Sequence, residues 1–172
     1  ILVNNPASLT MLQQTFTRLQ GLELGVSQLI CNQEHRFLAA EQIKGLSRDI
    51  DIVLEPMGRN TAPAFIIAAL KLQQEGNDAP MLVLSADHAI EDEGRFQEAV
   101  RTAVTLANKG HIITLGITPT FPCVGYGYIR CSEALDTVRK YYQVKEFVEK
   151  PNEKTASNYL KSNQYLWNSG MF

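Results

Sequence analysis

Apolar and polar positions along this chain follow patterns that predict helices and strands in alternation. An amphipathic spacing over residues 8–20 predicts a first helix, with Thr10 and Gln13 forming a capping box and Gly21 ending it. The same analysis predicts later helices at 34–44, 62–74, 95–109 and 154–161, and strands at 28–31, 50–54, 81–84, 111–116 and 144–148.

Alternation of strand and helix through residue 116 predicts one domain, residues 1–172, of the α/β class. We expect a Rossmann-like, mostly parallel sheet with helices on both faces. The apolar run 81–84 is typical of a central parallel strand. The 62–74 helix is apolar nearly all round, which predicts burial on more than one side. The stretch beginning at Gly125 breaks the alternation.

Both ends of the sequence are typical of a chain interrupted within its fold. Ile1-Leu2-Val3-Asn4-Asn5 leads directly into a helix, and Met171-Phe172 is an apolar pair typical of a strand interior. Natural termini are more often polar and frayed. We therefore expect a domain truncated at both ends.

Composition narrows the classes of partner. A net charge of -2, with both signs interspersed, gives no electrostatic case for binding nucleic acid or an anionic membrane. Cys31, Cys123 and Cys131 have no paired spacing, which indicates reduced thiols in a cytoplasmic protein.

Polar residues that could bind a ligand or take part in catalysis follow the ends of predicted strands. Glu149 and Lys150 follow a strand and precede Pro151. A carboxylate accepts hydrogen bonds from sugar hydroxyls, and an ammonium holds a phosphate; for these residues alone, a solvated turn pair explains the pattern better. Asp87 follows the run 81–84 and is equally well read as a magnesium ligand or as a turn former.

Three further segments have two interpretations each. The loop 55–63 enters a helix N-terminus that favours phosphate, and Arg59 and Asn60 can read a phosphate or a purine edge, although an ordinary capped loop fits its composition better. Gly127 permits close approach of a ligand, while a bulge with core tyrosines is a strong alternative. Asn168 precedes Ser169-Gly170, where an asparagine is more often a turn former.

In combination and order, these segments closely resemble mannose-1-phosphate guanylyltransferases, above all the bacterial type often fused to a phosphomannose isomerase domain. The resemblance spans essentially the whole chain. It rests on Glu55-Pro56, Arg59-Asn60-Thr61-Ala62-Pro63, Ser85-Ala86-Asp87-His88, Gly125-Tyr126-Gly127-Tyr128-Ile129, Phe147-Val148-Glu149-Lys150-Pro151 and Trp167-Asn168-Ser169-Gly170-Met171-Phe172. Thymidylyl- and uridylyltransferase relatives share the Glu-Lys pair but lack these Arg-Asn-Thr-Ala-Pro and Asp-His versions.

The resemblance implies an enzyme that forms GDP-mannose and pyrophosphate from GTP and mannose 1-phosphate with Mg²⁺ or another divalent cation. It implies that Asp87 coordinates the metal and that Asp87 and Lys150 are catalytic. The resemblance also implies that the nucleotide is bound by Glu55, Arg59, Asn60, Thr61 and Ala62. It implies that the sugar phosphate is bound by Gly127, Glu149, Lys150 and Asn168.

The sequence departs from the family in three places. The family opens with a Gly-Gly-x-Gly-x-Arg-Leu-x-Pro loop that cradles the triphosphate, whereas the first glycine here is Gly21, and the family's second metal-binding aspartate lies beyond Phe172. Cys123 stands where relatives commonly carry a polar residue. We therefore expect weak or no activity from this fragment alone. Two alternatives stay open: a sibling enzyme using another base or sugar, and a non-catalytic nucleotide-sugar-binding domain. The sequence leaves the oligomeric state open, a homodimer included.

Overall fold

The computed structural model describes residues 9–46, 49–136 and 141–172, with backbone alone at 133–136. The helices of this part of the chain are α1 (Met11–Thr17), α2 (Arg36–Ile43), α3 (Thr61–Gln74), α4 (Glu93–Ala107) and α5 (Glu153–Ser162). The strands are β1 (Ser27–Asn32), β2 (Ile50–Glu55), β3 (Gly116–Ile117), β4 (Tyr128–Asp136), β5 (Tyr141–Val148) and β6 (Tyr165–Asn168). None of the helices in the described ranges is long and apolar enough to cross a membrane.

The chain divides into two compact units, residues 1–101 and 102–172. In the first unit, β1 and β2 pair in parallel, so that Asn32 and Glu55 lie opposite each other at the carboxyl ends of the strands. Helix α2 contacts both strands, and α3 contacts β1. The predicted capping box of α1 is present: the Gln13 N–H donates to Thr10 Oγ1 at 3.2 Å, and the Thr10 N–H donates to Gln13 Oε1 at 2.9 Å.

The second unit contains an antiparallel sheet of order β3-β6-β4-β5. Its core is formed by Tyr128 of β4, Trp167 of β6 and Ala156 of α5. Helix α5 is held at its start by Asn152, whose side chain accepts from the Thr155 N–H at 2.9 Å. This unit carries the strand ends from which the sugar-phosphate residues were predicted to project.

The predicted α/β class, with a parallel sheet and helices, is confirmed, and so are free thiols at all three cysteines. Helix α1 is shorter than the predicted 8–20; its predicted start at Ser8, like residues 1–5, lies outside the described residues. The predicted helix 34–44 begins as a 3-10 turn, Gln33–His35, before α2.

Two predicted strands are wrong. Residues 81–84 are half-buried but carry no strand pairing, and 111–116 contributes only Gly116 to the two-residue β3. An apolar run records a preference for burial, whereas a strand also needs neighbouring amides and carbonyls to pair with. Parallel pairing in the described residues is therefore confined to β1 and β2, and the other described pairs are antiparallel.

The prediction that the 62–74 helix is buried on more than one side is also wrong. None of the described residues of α3 is fully buried, and Ile66 and Leu70 are 59% and 52% exposed. Apolar composition shows which environment a helix favours, but it does not supply the elements that would cover it.

Candidate active site

Gly127, Glu149 and Asn168 are brought together by the antiparallel register of three strands. Tyr128, the first residue of β4, pairs with Val148 at the end of β5 and with Trp167 in β6. The residues that come just outside these pairs are Gly127, Glu149 and Asn168, and antiparallel strands place such residues at the same edge of a sheet. The Asn168 N–H donates to the Gly127 carbonyl at 2.8 Å, and this hydrogen bond fixes the two residues side by side.

Gly127 leaves room for the Glu149 carboxylate. A Cβ atom at position 127 would lie 3.2 Å from Glu149 Oε2 and 3.6 Å from Asn168 Cβ. The first of these separations is tighter than an ordinary contact. Because Gly127 has no side chain, the Glu149 carboxylate can lie close to the main chain of residue 127. The same lack of a side chain would let a ligand approach that main chain.

Glu149 and Lys150 project from the end of β5 as a loose pair. Lys150 Nζ lies 3.8 Å from Glu149 Oε1, and the two side chains are 65% and 76% exposed. Lys150 has a φ of 33°, a left-handed conformation that costs a non-glycine residue about 1–3 kcal/mol. A pair so exposed adds little to stability, and both groups can engage a ligand.

Asn168 ends β6, and its side chain makes the local main-chain contact of a turn former while still carrying a donor. Its Oδ1 accepts from the Gly170 N–H at 3.0 Å. Ser169 fixes the same segment, because its hydroxyl donates to the Leu115 carbonyl and accepts from the Met171 N–H. With its oxygen engaged, the side-chain amide NH₂ of Asn168 is the group it can offer to an acceptor.

The loop before Gly127 is held by Tyr128, a contact that sequence analysis missed. The buried Tyr128 hydroxyl donates to the Cys123 carbonyl at 2.9 Å and accepts from the Cys123 N–H at 3.0 Å. Of the two tyrosines that the alternative interpretation placed in the core, Tyr128 is buried and Tyr126 is 48% exposed. The structure adds what the Tyr128 hydroxyl does. Glycine spacing and aromatic content gave no signal for this contact.

Asp87, in the first unit, is an exposed carboxylate beside a fixed main chain. Its side chain is 84% exposed, and Oδ1 lies 3.9 Å from His88 Nε2. The His88 carbonyl accepts from the Arg18 guanidinium at 2.7 Å. Sequence analysis missed Arg18, since 70 residues separate it from His88 and an arginine on a helix carries no signal of such a contact.

The donor set around Asp87 suits a cation that substrate helps to bind. In residues 9–46, 49–136 and 141–172, no group of three or more His, Cys, Asp or Glu side chains can hold a metal ion. Mg²⁺ typically takes one or two protein carboxylates and completes its shell with substrate phosphates and water. A single exposed Asp87 therefore fits Mg²⁺ and offers too few ligands for an all-protein cage.

The predicted nucleotide-binding loop joins β2 to α3. Glu55 ends β2, and Arg59, Asn60, Thr61 and Ala62 are exposed. Asn60 stands at the N-cap position of α3, but its side chain makes no capping hydrogen bond. Its φ of 63° and ψ of -168° fall in a region that is essentially restricted to glycine. Asn60 therefore marks the start of α3 without capping the helix through its side chain.

The predicted site residues therefore fall into two sets, one in each unit. Gly127, Glu149, Lys150 and Asn168 meet at one edge of the antiparallel sheet. The first unit holds the other predicted residues: Glu55, Arg59, Asn60, Thr61, Ala62 and Asp87.

Comparison with known proteins defines the class. A sequence model of the nucleotidyl transferase family matches residues 2–172, so the chain belongs to that family. It is 52% identical over 165 residues to a mannose-1-phosphate guanylyltransferase of Klebsiella pneumoniae, covering 95% of this chain and 35% of that protein. It is 49% identical over 169 residues to a protein of the same name from Escherichia coli (strain K12), again covering 95% and 35%.

Solved structures show the same fold. A Thermus thermophilus protein described as a mannose-1-phosphate geranyltransferase matches with a TM-score of 0.80 and 31% identity, over 94% of this chain and 46% of that one. A Helicobacter pylori protein described as a mannose-6-phosphate isomerase matches with a TM-score of 0.80 and 32% identity, over 94% and 60%. The chain thus spans about a third of the curated relatives above and roughly half of these structures.

Proposed function

We propose that this chain is part of the nucleotidyltransferase domain of an enzyme that forms GDP-mannose and pyrophosphate from GTP and mannose 1-phosphate. The observation that carries the proposal is the meeting of Gly127, Glu149, Lys150 and Asn168 at one edge of a sheet. The names of the 52% and 49% identical relatives support the choice of sugar and nucleotide.

The sheet edge supplies complementary groups for a sugar phosphate. Glu149 accepts hydrogen bonds from mannose hydroxyls, and the Asn168 side-chain amide NH₂ donates to a hydroxyl or ring oxygen. Lys150 holds the phosphate as a point charge and orients the oxygen that attacks the α-phosphorus of GTP. The bare backbone at Gly127 lets the sugar lie against the strand end.

The first unit supplies the groups for the nucleotide. The exposed N-terminus of α3 favours negatively charged groups, and Arg59 and Asn60 in the loop before it can donate to the guanine edge or to phosphate. Asp87 holds one position of a divalent cation. A bound cation would supply positive charge to offset the negative charge that develops around the α-phosphorus as the guanylyl group is transferred.

We place this activity in the cytoplasm. The three cysteines are free, as is typical of proteins in a reducing compartment.

An assay of the full-length protein tests the proposal. Purified enzyme is given each of four nucleoside triphosphates with mannose 1-phosphate, glucose 1-phosphate or fucose 1-phosphate, and pyrophosphate release is measured. We expect release with GTP and mannose 1-phosphate, dependent on divalent cation and reduced at least ~100-fold in Lys150→Met.

The same assay separates the alternatives. Release with a different pair identifies a sibling transferase. Isomerisation of mannose 6-phosphate, the activity in the name of the Helicobacter pylori protein, is assayed in parallel. Isomerase activity would indicate a further domain in the full-length protein. Binding of GDP-mannose without turnover of any pair contradicts the proposal and identifies a non-catalytic domain.

A further inference from the structure

Arg18 is a buried cation that contacts main-chain oxygen. Only 2% of the residue is exposed, although it is an arginine on a short helix. Its Nε–H donates to the Gln14 carbonyl at 3.2 Å, and its Nη2 donates to the His88 carbonyl at 2.7 Å. A 2.7 Å bond from a charged donor is at the short, strong end of the range for N–H···O.

Burial of this guanidinium has a cost that a neutral side chain would avoid. Burial lowers the pKa of Arg18, and the nearby charge of Glu93 acts in the opposite direction. Desolvating a charge is unfavourable unless its hydrogen bonds are well made. A methionine or leucine would fill the same space without this cost. The hydrogen bonds of the guanidinium are therefore the feature that needs an explanation.

The end of helix α1 that carries Arg18 is itself braced by α4. Gln97 Nε2 donates to the carbonyls of Arg18 and Gln20, each at 2.9 Å. Arg101 donates to the Gly21 carbonyl at 3.2 Å. The guanidinium therefore projects from a fixed base, and the carbonyl it contacts belongs to the residue directly after Asp87.

We propose that Arg18 is a positioning residue for the divalent-cation site at Asp87. By holding the His88 carbonyl, Arg18 fixes the main chain beside Asp87 while the Asp87 carboxylate stays exposed to solvent and ligand. A metal ligand must be held within a fraction of an ångström to bind well, and a partner that orients it contributes about 10–100-fold in affinity. This inference rests on the proposed function, because it assumes that Asp87 binds the cation.

Site-specific binding of Mn²⁺ tests the role of Arg18 without using activity. Mn²⁺ favours the same oxygen ligands as Mg²⁺ and broadens NMR signals of nearby amides. Mn²⁺ is titrated into ¹⁵N-labelled full-length protein with GTP at a fixed, saturating concentration, since substrate phosphates complete the shell of the ion, and the Mn²⁺ concentration that half-broadens the Asp87 and His88 signals is measured. In Arg18→Met, which keeps an unbranched apolar stem but loses both donors, we expect that concentration to rise about tenfold, equal to about 1.4 kcal/mol.

Two further variants separate positioning from a general loss of stability. Gln13→Leu also removes two side-chain hydrogen bonds, at the start of α1, but it leaves the His88 carbonyl bonded to Arg18. We expect its Mn²⁺ response to stay within about twofold of wild type at a similar loss of thermal stability. Arg18→Lys keeps the charge and can reach one carbonyl, so it should recover part of the affinity and provides the measurement if Arg18→Met does not fold.

The outcomes distinguish the two proposals. Wild-type broadening at Asp87 that persists unchanged in both Arg18 variants overturns the role of Arg18 and leaves the cation site standing. An equal loss in Gln13→Leu also overturns it, since the effect would then follow stability. Absence of broadening at Asp87 in wild type removes the cation site itself and, with it, the inference.

Discussion

The Glu149 carboxylate lies against the Cα of Gly127, with Oε2 only 3.2 Å from the point where a Cβ would stand. The two residues are far apart in sequence and meet because Tyr128 pairs with Val148 across β4 and β5. Glu149 is in turn 3.8 Å from the Lys150 ammonium. A change at Gly127 is therefore expected to act through Glu149 on the proposed sugar-phosphate site.

Gly127→Ala should impair sugar binding more than it impairs stability. The added methyl group meets the far end of a flexible side chain, so Glu149 can move aside by a few tenths of an ångström while the sheet remains intact. We expect the KM for mannose 1-phosphate to rise about 5–20-fold and the free energy of unfolding to change by less than about 1 kcal/mol. Steady-state kinetics and urea melts of the full-length protein measure the two effects.

Gly125→Ala is the matched control. A Cβ at position 125 would lie 3.8 Å from Cys123 Sγ, an ordinary van der Waals contact. We expect its KM to stay within about twofold of wild type. Equal effects of the two alanines would show that the loop as a whole, rather than the space beside Glu149, determines binding.

Asp87→Asn should abolish turnover and leave the fold intact. The carboxylate is 84% exposed, so loss of its charge should change the free energy of unfolding by no more than about 0.5 kcal/mol. If Asp87 holds the divalent cation, kcat/KM should fall at least ~100-fold. Asp92→Asn, at a helix start where asparagine can also cap, is the control and should keep its activity. Unchanged turnover in Asp87→Asn would remove Asp87 from the metal site.

Gly116→Ala should destabilise the second unit. A Cβ there would stand 2.6 Å from Leu166 Cδ1 and 2.9 Å from Leu166 Cβ, closer than atoms can approach. We expect a loss of about 1–3 kcal/mol, measured by urea melts, and partial recovery when Leu166→Ala is added. Gly45→Ala, where a Cβ meets nothing within 4 Å, is the control. A Gly116→Ala protein as stable as wild type would show that β3 and β6 pack differently.

Cys131 should make stability decline at alkaline pH. Burial raises the pKa of the Cys131 thiol above its ordinary value of about 9. The native state then holds this proton more tightly than the unfolded state, so its contribution is fully present below about pH 9 and is lost as pH rises through the native pKa. Urea melts between about pH 8 and pH 10.5 should show a steeper decline for wild type than for Cys131→Ala. Parallel curves for the two proteins would contradict the assignment to Cys131. Cys31, Tyr165 and Lys71 also have raised pKa values, but they are present in both proteins and so do not contribute to the difference.

Local signals in the sequence identified much of the secondary structure. The Thr10–Gln13 capping box and the strand that leads to Glu149 depend on residues close together in the chain. The strand predicted at 81–84 failed because pairing depends on a distant partner. Helix α3 shows the same limit, since its apolar surface predicts a need for cover without identifying what covers it.

The sequence predicted which residues form the candidate site, but it did not predict how they are arranged in space. Resemblance to a family selected Gly127, Glu149 and Asn168, but their meeting follows from the register of β4 with β5 and β6. Arg18 was missed for the same reason, because its contact with His88 spans 70 residues. Long-range pairings of this kind leave no local pattern in a single sequence.

An NMR titration of the full-length protein with mannose 1-phosphate tests the central claim most directly. We expect the amide signals of Gly127, Glu149, Lys150 and Asn168 to shift together and saturate at one ligand concentration. The signal of Glu146, which lies on β5 and pairs with Arg130 at 3.5 Å, should stay in place. Saturable binding that leaves the four signals unmoved would contradict the account and place the sugar phosphate elsewhere.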